Sequence, residues 1–400
     1  MEKFPATVDM VFAGGLGLAA YHAGAYQAFF RRSTPLHWVA GSSAGAVTAA
    51  LLAGNRSERR IERLRAFWNF PPPDNYRSVA WRHLYGWIGA LGTRLIGSRG
   101  HFHPRMPSMD PFVFRSLYDL SPMRERIESL IDFDRLNTGE IRMSVATTDI
   151  ETGEPVIFDS SKTRIEVDHL MASCGFLPEF APVELGGRLL GDGGLSLNAP
   201  FDPVLDSAME GDLLMYVLDL YARDGAPPNS LEAALERKND LLFGNQTFLR
   251  LKYCAELRRV RRKLEGDASS DTGDRIVLLS YRPGAEEPGP EKSFELSSAA
   301  LAQRWNAGTL DMDYAMDFSP DEQLVAVRRK EGGSPSRSVE PVGRRANMNG
   351  KREPEPLPRG EDLPGAGPHA DPKLTDPYKT PGTGMLPETK DPNQSPTGSW

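Results

Sequence analysis

The sequence predicts an α/β fold on a mostly parallel central sheet, and three observations carry that prediction. Short apolar runs alternate closely with helix-patterned segments through the first part of the 400-residue chain. Glycine-rich turns follow the first two runs directly, at Gly14-Gly15-Leu16-Gly17 and at Gly41-Ser42-Ser43-Ala44-Gly45. A third glycine cluster, Gly191-Asp192-Gly193-Gly194, follows a later apolar hairpin.

The elements read in order as follows. Residues 7–13 (Thr-Val-Asp-Met-Val-Phe-Ala) form a buried strand, then a glycine turn leads into a helix over about 20–31. Leu36 to Ala40 is a second short strand, and the serine turn after it opens a helix over roughly 44–53. A helix over 57–70 is ended by Pro71-Pro72-Pro73. Ser121-Pro122 starts another, with serine at the cap and proline in the first turn. Strands at 141–148 and 155–159 flank the turn Glu151-Thr152-Gly153-Glu154, and Gly186-Gly187 joins 183–185 to 188–190 as a two-residue hairpin. A buried strand at 213–220, a long helix over 230–264 with a basic end, a strand at 275–281 and a helix over 297–306 complete the ordered chain. Beyond about Glu331, Pro, Gly, Ser and charge dominate, so 331–400 should be a disordered tail.

Composition excludes several functions. A net charge of −7 gives no support to nucleic-acid binding, and two cysteines, Cys174 and Cys254, exclude a disulfide framework or a cysteine-rich zinc site. A reducing, cytoplasmic setting is the natural reading. Met10 to Phe30 is long enough and uncharged enough to pass for a membrane span, but four glycines interrupt it. A strand, a turn and a buried helix fit it better than a span or a signal peptide. His101 and His103 invite a metal reading, yet no acidic or cysteine partner is near in sequence, so no metal is expected.

The serine turn carries the chemistry. G-x-S-x-G between a strand and a helix is a nucleophile elbow: Gly41 and Gly45 let two backbone segments approach, leaving the central Ser43 hydroxyl exposed above the sheet. A serine nucleophile needs a base and oxyanion donors. The seven histidines place none between Asp192 and the tail, so a Ser–acid–His triad in the usual order is not available. His22 falls in an apolar helix, where packing is the better reading. A carboxylate is left as base, and Asp192, fixed by Gly191 and Gly193, is the candidate. It would need a partly dry site to lift its pKa, and the bland alternative is an ordinary Asp-Gly turn. The first glycine turn supplies backbone N–H groups at Gly14, Gly15 and Leu16 as oxyanion donors. Its rival reading, a dinucleotide fingerprint, lacks the acidic residue expected some twenty residues on; no cofactor is expected.

Taken together these motifs resemble the patatin-like phospholipases, bacterial members most closely. The matching stretches are Gly14 to Gly24, Gly41-Ser42-Ser43-Ala44-Gly45 and Asp192-Gly193-Gly194, with further similarity at Phe133 to Asn137, Met171-Ala172-Ser173 and the run to Asn198-Ala199-Pro200. The resemblance implies a three-layer α/β/α domain over about 1–320, with an insert at about 70–110. It implies a Ser43–Asp192 dyad that hydrolyses a lipid ester through an acyl-enzyme. Leu16 and Ala19 depart from the family's glycine turn, which puts the donor geometry in question. The alternatives are a catalytically weak lipid-binding protein on the same fold and a soluble esterase or thioesterase. Arg77 to Arg105, with five arginines among Trp and Tyr residues, suits peripheral contact with an anionic membrane as well as it suits a packed lid.

Overall fold

The structure, a computed structural model, describes residues 7–68, 92–98, 100–105, 116–207, 213–264, 274–283, 292–317, 324–327 and 340–341. All belong to the compact unit Met1–Gly343. The expected tail, apart from 340–341, and most of the arginine-rich insert therefore lie outside the described residues.

The strands are β1 (Thr7–Phe12), β2 (Trp38–Ser42), β3 (His103–Pro104), β4 (Tyr118–Asp119), β5 (Arg142–Asp149), β6 (Pro155–Asp159), β7 (Val183–Leu185), β8 (Arg188–Asp192), β9 (Leu213–Asp219), β10 (Arg275–Ser280), β11 (Leu324–Val327) and β12 (Glu340–Pro341). Ten form one sheet in the order β12-β11-β10-β9-β1-β2-β5-β8-β7, with β6 also paired to β5; β3 and β4 pair separately. The run from β11 to β5 is parallel, and the margins are antiparallel. This is the predicted α/β class.

The helices are α1 (Ala20–Arg31), α2 (Ala44–Ala53), α3 (Arg60–Phe67), α4 (Ser121–Leu130), α5 (Phe133–Leu136), α6 (Val167–Ser173), α7 (Asp202–Asp206), α8 (Leu231–Leu264) and α9 (Ser298–Asp317). Helices cover both faces of the sheet, which is why β1 is buried on both sides and largely apolar apart from Asp9. Val8, Met10 and Phe12 join the core under α1, α2 and α9, while Val11 and Ala13 join a second core with Leu251 and Ala255 of α8. The α1–α9 crossing is backbone-close: a Cβ on Gly24 would lie 1.8 Å from the Trp305 carbonyl oxygen, and one on Gly308 2.0 Å from that of Tyr21. The apolar stretch 10–30 thus divides into β1, a 3₁₀ turn over Leu16–Ala19 and α1. Among the described residues no helix is long and apolar enough to cross a membrane.

Several bounds moved. β2 starts at Trp38 and continues through Gly41 and Ser42, because those residues still pair with Val145 and Ala146. The helix expected over 57–70 is a 3₁₀ turn (Ser57–Arg59) followed by α3. α9 runs well past 306, its inner side held by Trp305, Met312 and Ala315. β11 and α6 were not foreseen.

β5 positions the site. Its residues 144–148 pair with β6 along one edge. Its other edge takes β2 opposite 142–146 and then β8 opposite 147–149. β8 therefore lies in line beyond the end of β2, and Asp192 (opposite Thr147) stands one register place from Ser42 (opposite Ala146).

Candidate active site

Ser43 follows β2 at φ 55° and ψ −129°, a left-handed, strained backbone for a residue with a side chain. The strain requires the flanking glycines. A Cβ on Gly41 would lie 2.3 Å from the Gly45 oxygen, and one on Gly45 2.1 Å from the Phe12 oxygen. Ser43 stands at the N-cap of α2, yet its hydroxyl makes no capping hydrogen bond. That leaves Oγ to other partners, where most N-cap serines spend it on the helix. The Ser43 N–H donates to Ser173 Oγ at 2.8 Å, and Ser173 in turn donates to the Ala146 carbonyl at 2.7 Å. Ser173, at the end of α6, thereby ties the elbow to β5.

Asp192 ends β8 and is 2% exposed. Burial pushes its carboxyl up to about 7, against the lowering effect of the nearby Ser43 hydroxyl and of the Gly194 N–H, which donates to it. The Gly194 bond measures 2.7 Å. The backbone is fixed too: the Asp192 N–H donates to Gly175 O at 3.0 Å, and its carbonyl accepts from Thr148 Oγ1 at 2.7 Å. Gly193 is needed for space, since a Cβ there would lie 2.5 Å from the Ala146 oxygen. The structure thus brings Ser43 and Asp192, some 150 positions apart in sequence, to the wall of one cavity. Burial and the neighbouring Asp192 push the Cys174 thiol beside the site well above its usual value, so it stays protonated.

The first glycine turn lies beside them. The Gly14 N–H is committed to Asn198, 3.1 Å from its carbonyl oxygen and 3.1 Å from its Oδ1. Of the three expected oxyanion donors, Gly14 is therefore already satisfied. The N–H groups of Gly15 and Leu16 have no acceptor among the described residues. Leu16 adopts φ 47°, the left-handed region where a glycine would sit without strain. Asn198, missed as a functional residue, is 2% exposed and spends its Oδ1 on holding this turn.

Ser43, Asp192, Gly14, Gly15, Leu16 and Gly194 line one open cavity of about 460 Å³, with Phe176, Tyr221 and Phe243 on its walls. A narrow apolar slot of about 30 Å³ leaves Ser43 on another side, between Leu16, Val47, Phe67, Phe102, Met123 and Phe180. Among the described residues no histidine hydrogen-bonds to Ser43 or Asp192. His22 is fully buried against the Phe12 ring and pushed down to about 3 by that burial, a neutral packing residue. His37 Nδ1 accepts from the Val8 N–H at 3.3 Å. His101 stacks on Trp68 at the slot's far wall, and His103 lies 3.9 Å from Asp119. His83 and His369 fall outside the described residues.

Comparison with known proteins gives one family and a few distant folds. Residues 10–205 match the family described as patatin-like phospholipase. No curated protein matches the chain. Among solved structures, VipD from Legionella pneumophila is 14% identical with a TM-score of 0.37, covering 78% of this chain and 67% of its own. Full-length ExoU in complex with SpcU, from the type III secretion system of Pseudomonas aeruginosa, is 18% identical with a TM-score of 0.28. That match covers 64% of this chain and 53% of ExoU, so the chain spans about half of ExoU's length. The family match runs from within β1 through the serine elbow and the Asp-Gly-Gly turn to α7, and over residues 10–205 the chain belongs to the patatin-like phospholipase family.

Proposed function

We propose that the chain is a serine lipid acyl hydrolase that cleaves carboxylic esters through a Ser43–Asp192 dyad. The observation that carries this reading is the Ser43 hydroxyl, strained clear of its helix cap, against a buried carboxyl raised to about 7. A carboxylate in that range is matched to taking a hydroxyl proton near neutral pH. Asp192 accepts the Ser43 proton as Oγ bonds to the ester carbonyl carbon. The carbonyl oxygen becomes an oxyanion, held by the N–H groups of Gly15 and Leu16. Collapse breaks the ester C–O bond, and Asp192 returns its proton to the leaving alcohol. Asp192 then takes a proton from water as it attacks the acyl-enzyme, and returns that proton to the departing Ser43 Oγ as the acid is released. The apolar slot beside Ser43 has room for only about one methylene-sized group, so it supports an apolar acyl group at the carbonyl without housing a whole fatty chain. The wider, more polar cavity supports a bulkier leaving group.

A fluorophosphonate probe tests the nucleophile directly. Labelling should map to Ser43 and disappear in Ser43→Ala. Ser43→Ala and Asp192→Asn should each lower kcat by about a thousandfold or more with the fold intact; substantial turnover by either purified variant would count against the dyad. The commitment of the Gly14 N–H to Asn198 favours the alternative of a catalytically weak lipid-binding protein. Lipid binding without probe labelling or hydrolysis at any acyl chain length would establish that alternative instead.

A further inference from the structure

α8 has its polarity inside out. Its inner side buries Asp240, Thr247, Arg258 and Arg262 beside Leu251 and Ala255. The inward charges are paired: Asp240 with Lys292 at 2.9 Å, and Arg258 and Arg262 with Asp274 at 2.8 Å each. Its outer side carries Leu235, Leu242, Leu249, Tyr253, Leu257 and Leu264, exposed by between 45% (Leu235) and 81% (Leu264). At 3.6 residues per turn these six fall within an arc of about 80°, roughly opposite the buried positions. A single exposed leucine needs no explanation, but a stripe along the whole of a 34-residue helix does.

Two further observations identify what meets this stripe. Exposed Lys238, Lys252 and Lys263 follow one flank of it, within about 60–100° of its centre line. That lysine row stands on a chain whose net charge is −7. The stripe is also continuous with the Ser43 cavity, since Leu235, Lys238 and Leu242 form part of the cavity wall. A membrane interface takes leucine and tyrosine into the acyl boundary while flanking lysines reach the headgroups, and anionic lipid strengthens the attachment.

We infer that the outer face of α8 is a docking surface for an anionic phospholipid bilayer. On docking, the stripe enters the interface, the lysine row lies over the headgroups, and the mouth of the Ser43 cavity faces the lipid. This surface is a different stretch of chain from the arginine-rich insert considered above. It does not depend on hydrolysis, so docking can succeed or fail independently of the dyad.

The test uses the full chain carrying Ser43→Ala, which keeps vesicles intact. It is co-sedimented with phosphatidylcholine vesicles with and without phosphatidylglycerol, at low and high salt. Binding should require phosphatidylglycerol or be strengthened by it, and should weaken with salt. Leu249→Glu with Leu257→Glu should reduce the bound fraction about tenfold or more, and Lys252→Glu with Lys263→Glu about tenfold on anionic vesicles alone. Melting temperatures check that these variants fold; if the leucine pair does not, Tyr253→Cys carrying an environment-sensitive dye replaces it, and a blue shift on vesicle addition is expected. Absence of vesicle binding, equal binding by the leucine variant, or no dye shift would overturn the inference. So would a dimer of the parent chain that the leucine variant splits, since the stripe would then meet a second copy. Hydrolysis of a water-soluble ester by the chain with Ser43 intact reads the dyad separately.

Discussion

At Asp192 the same burial that prepares a base also penalises the folded chain. Ionised carboxylate is the form that accepts the Ser43 proton, so kcat/KM should rise with pH and level off above about 7. Stability runs the other way. The folded-state value lies above the unfolded value of about 4, so the native state holds a proton that the unfolded chain releases. That contribution is full below about 4 and lost as pH rises through 7. Asp192→Asn should therefore raise stability at about pH 8 by on the order of 2 kcal/mol and change it little near pH 4, read as paired denaturant midpoints. Asp9, buried in β1 and likewise pushed up to about 7 by burial, should give Asp9→Asn the same pH-dependent gain with no loss of activity. A second residue effect concerns Ser173, whose hydroxyl holds the Ser43 N–H. Ser173→Ala should lower kcat about tenfold with KM nearly unchanged, because the elbow loosens while the cavity wall stays in place. A comparable loss in KM would mean that Ser173 shapes the cavity instead.

Elements show which parts of this architecture the sequence discloses. β1, the serine elbow, α2 and both hairpins were legible because each is set by its own residues: apolar runs, Gly-rich turns and a paired glycine at 186–187. Ser43 and Asp192 were legible as types, glycine-flanked at strand ends. Their supports were not. Ser173 and Asn198 act on Ser43 and Gly14 from 130 and 184 positions away, and no local pattern marks such a bond. α9 was drawn too short because its C-terminal half alternates acidic and apolar residues, and its contacts with α1 decide the matter. The α8 burial pattern was also invisible, because its buried side is the more polar one and hydropathy alone would turn the helix over. The α1–α9 crossing permits a sharp test. Gly308→Ala puts a methyl group where the Tyr21 carbonyl lies and should cost about 1–3 kcal/mol or more. An unchanged denaturation midpoint would mean that the helices separate more easily than their spacing implies.

Across the whole molecule, α8 reaches the sheet through buried charge as well as through Leu251 and Ala255. Asp274, at the entrance to β10, receives both Arg258 and Arg262 and also accepts the Leu213 N–H at 3.0 Å. Asp274→Ala would strand two buried guanidinium groups and should cost about 3–5 kcal/mol, read by thermal melts. Replacing all three side chains with apolar ones of similar volume should restore much of that loss.

The shared edge of β5 has a practical corollary. Both partners of the proposed dyad are set by pairing to one strand, while the loop between β7 and β8 turns at Gly186 and Gly187 with no neighbour within 4 Å of either added Cβ. That tip is a natural seam: a protease recognition sequence spliced in there could be cut, and the two fragments would stay associated with their chemistry aligned. One residue inserted within 190–192, by contrast, would slip the ladder and turn the carboxylate to the opposite side of the sheet.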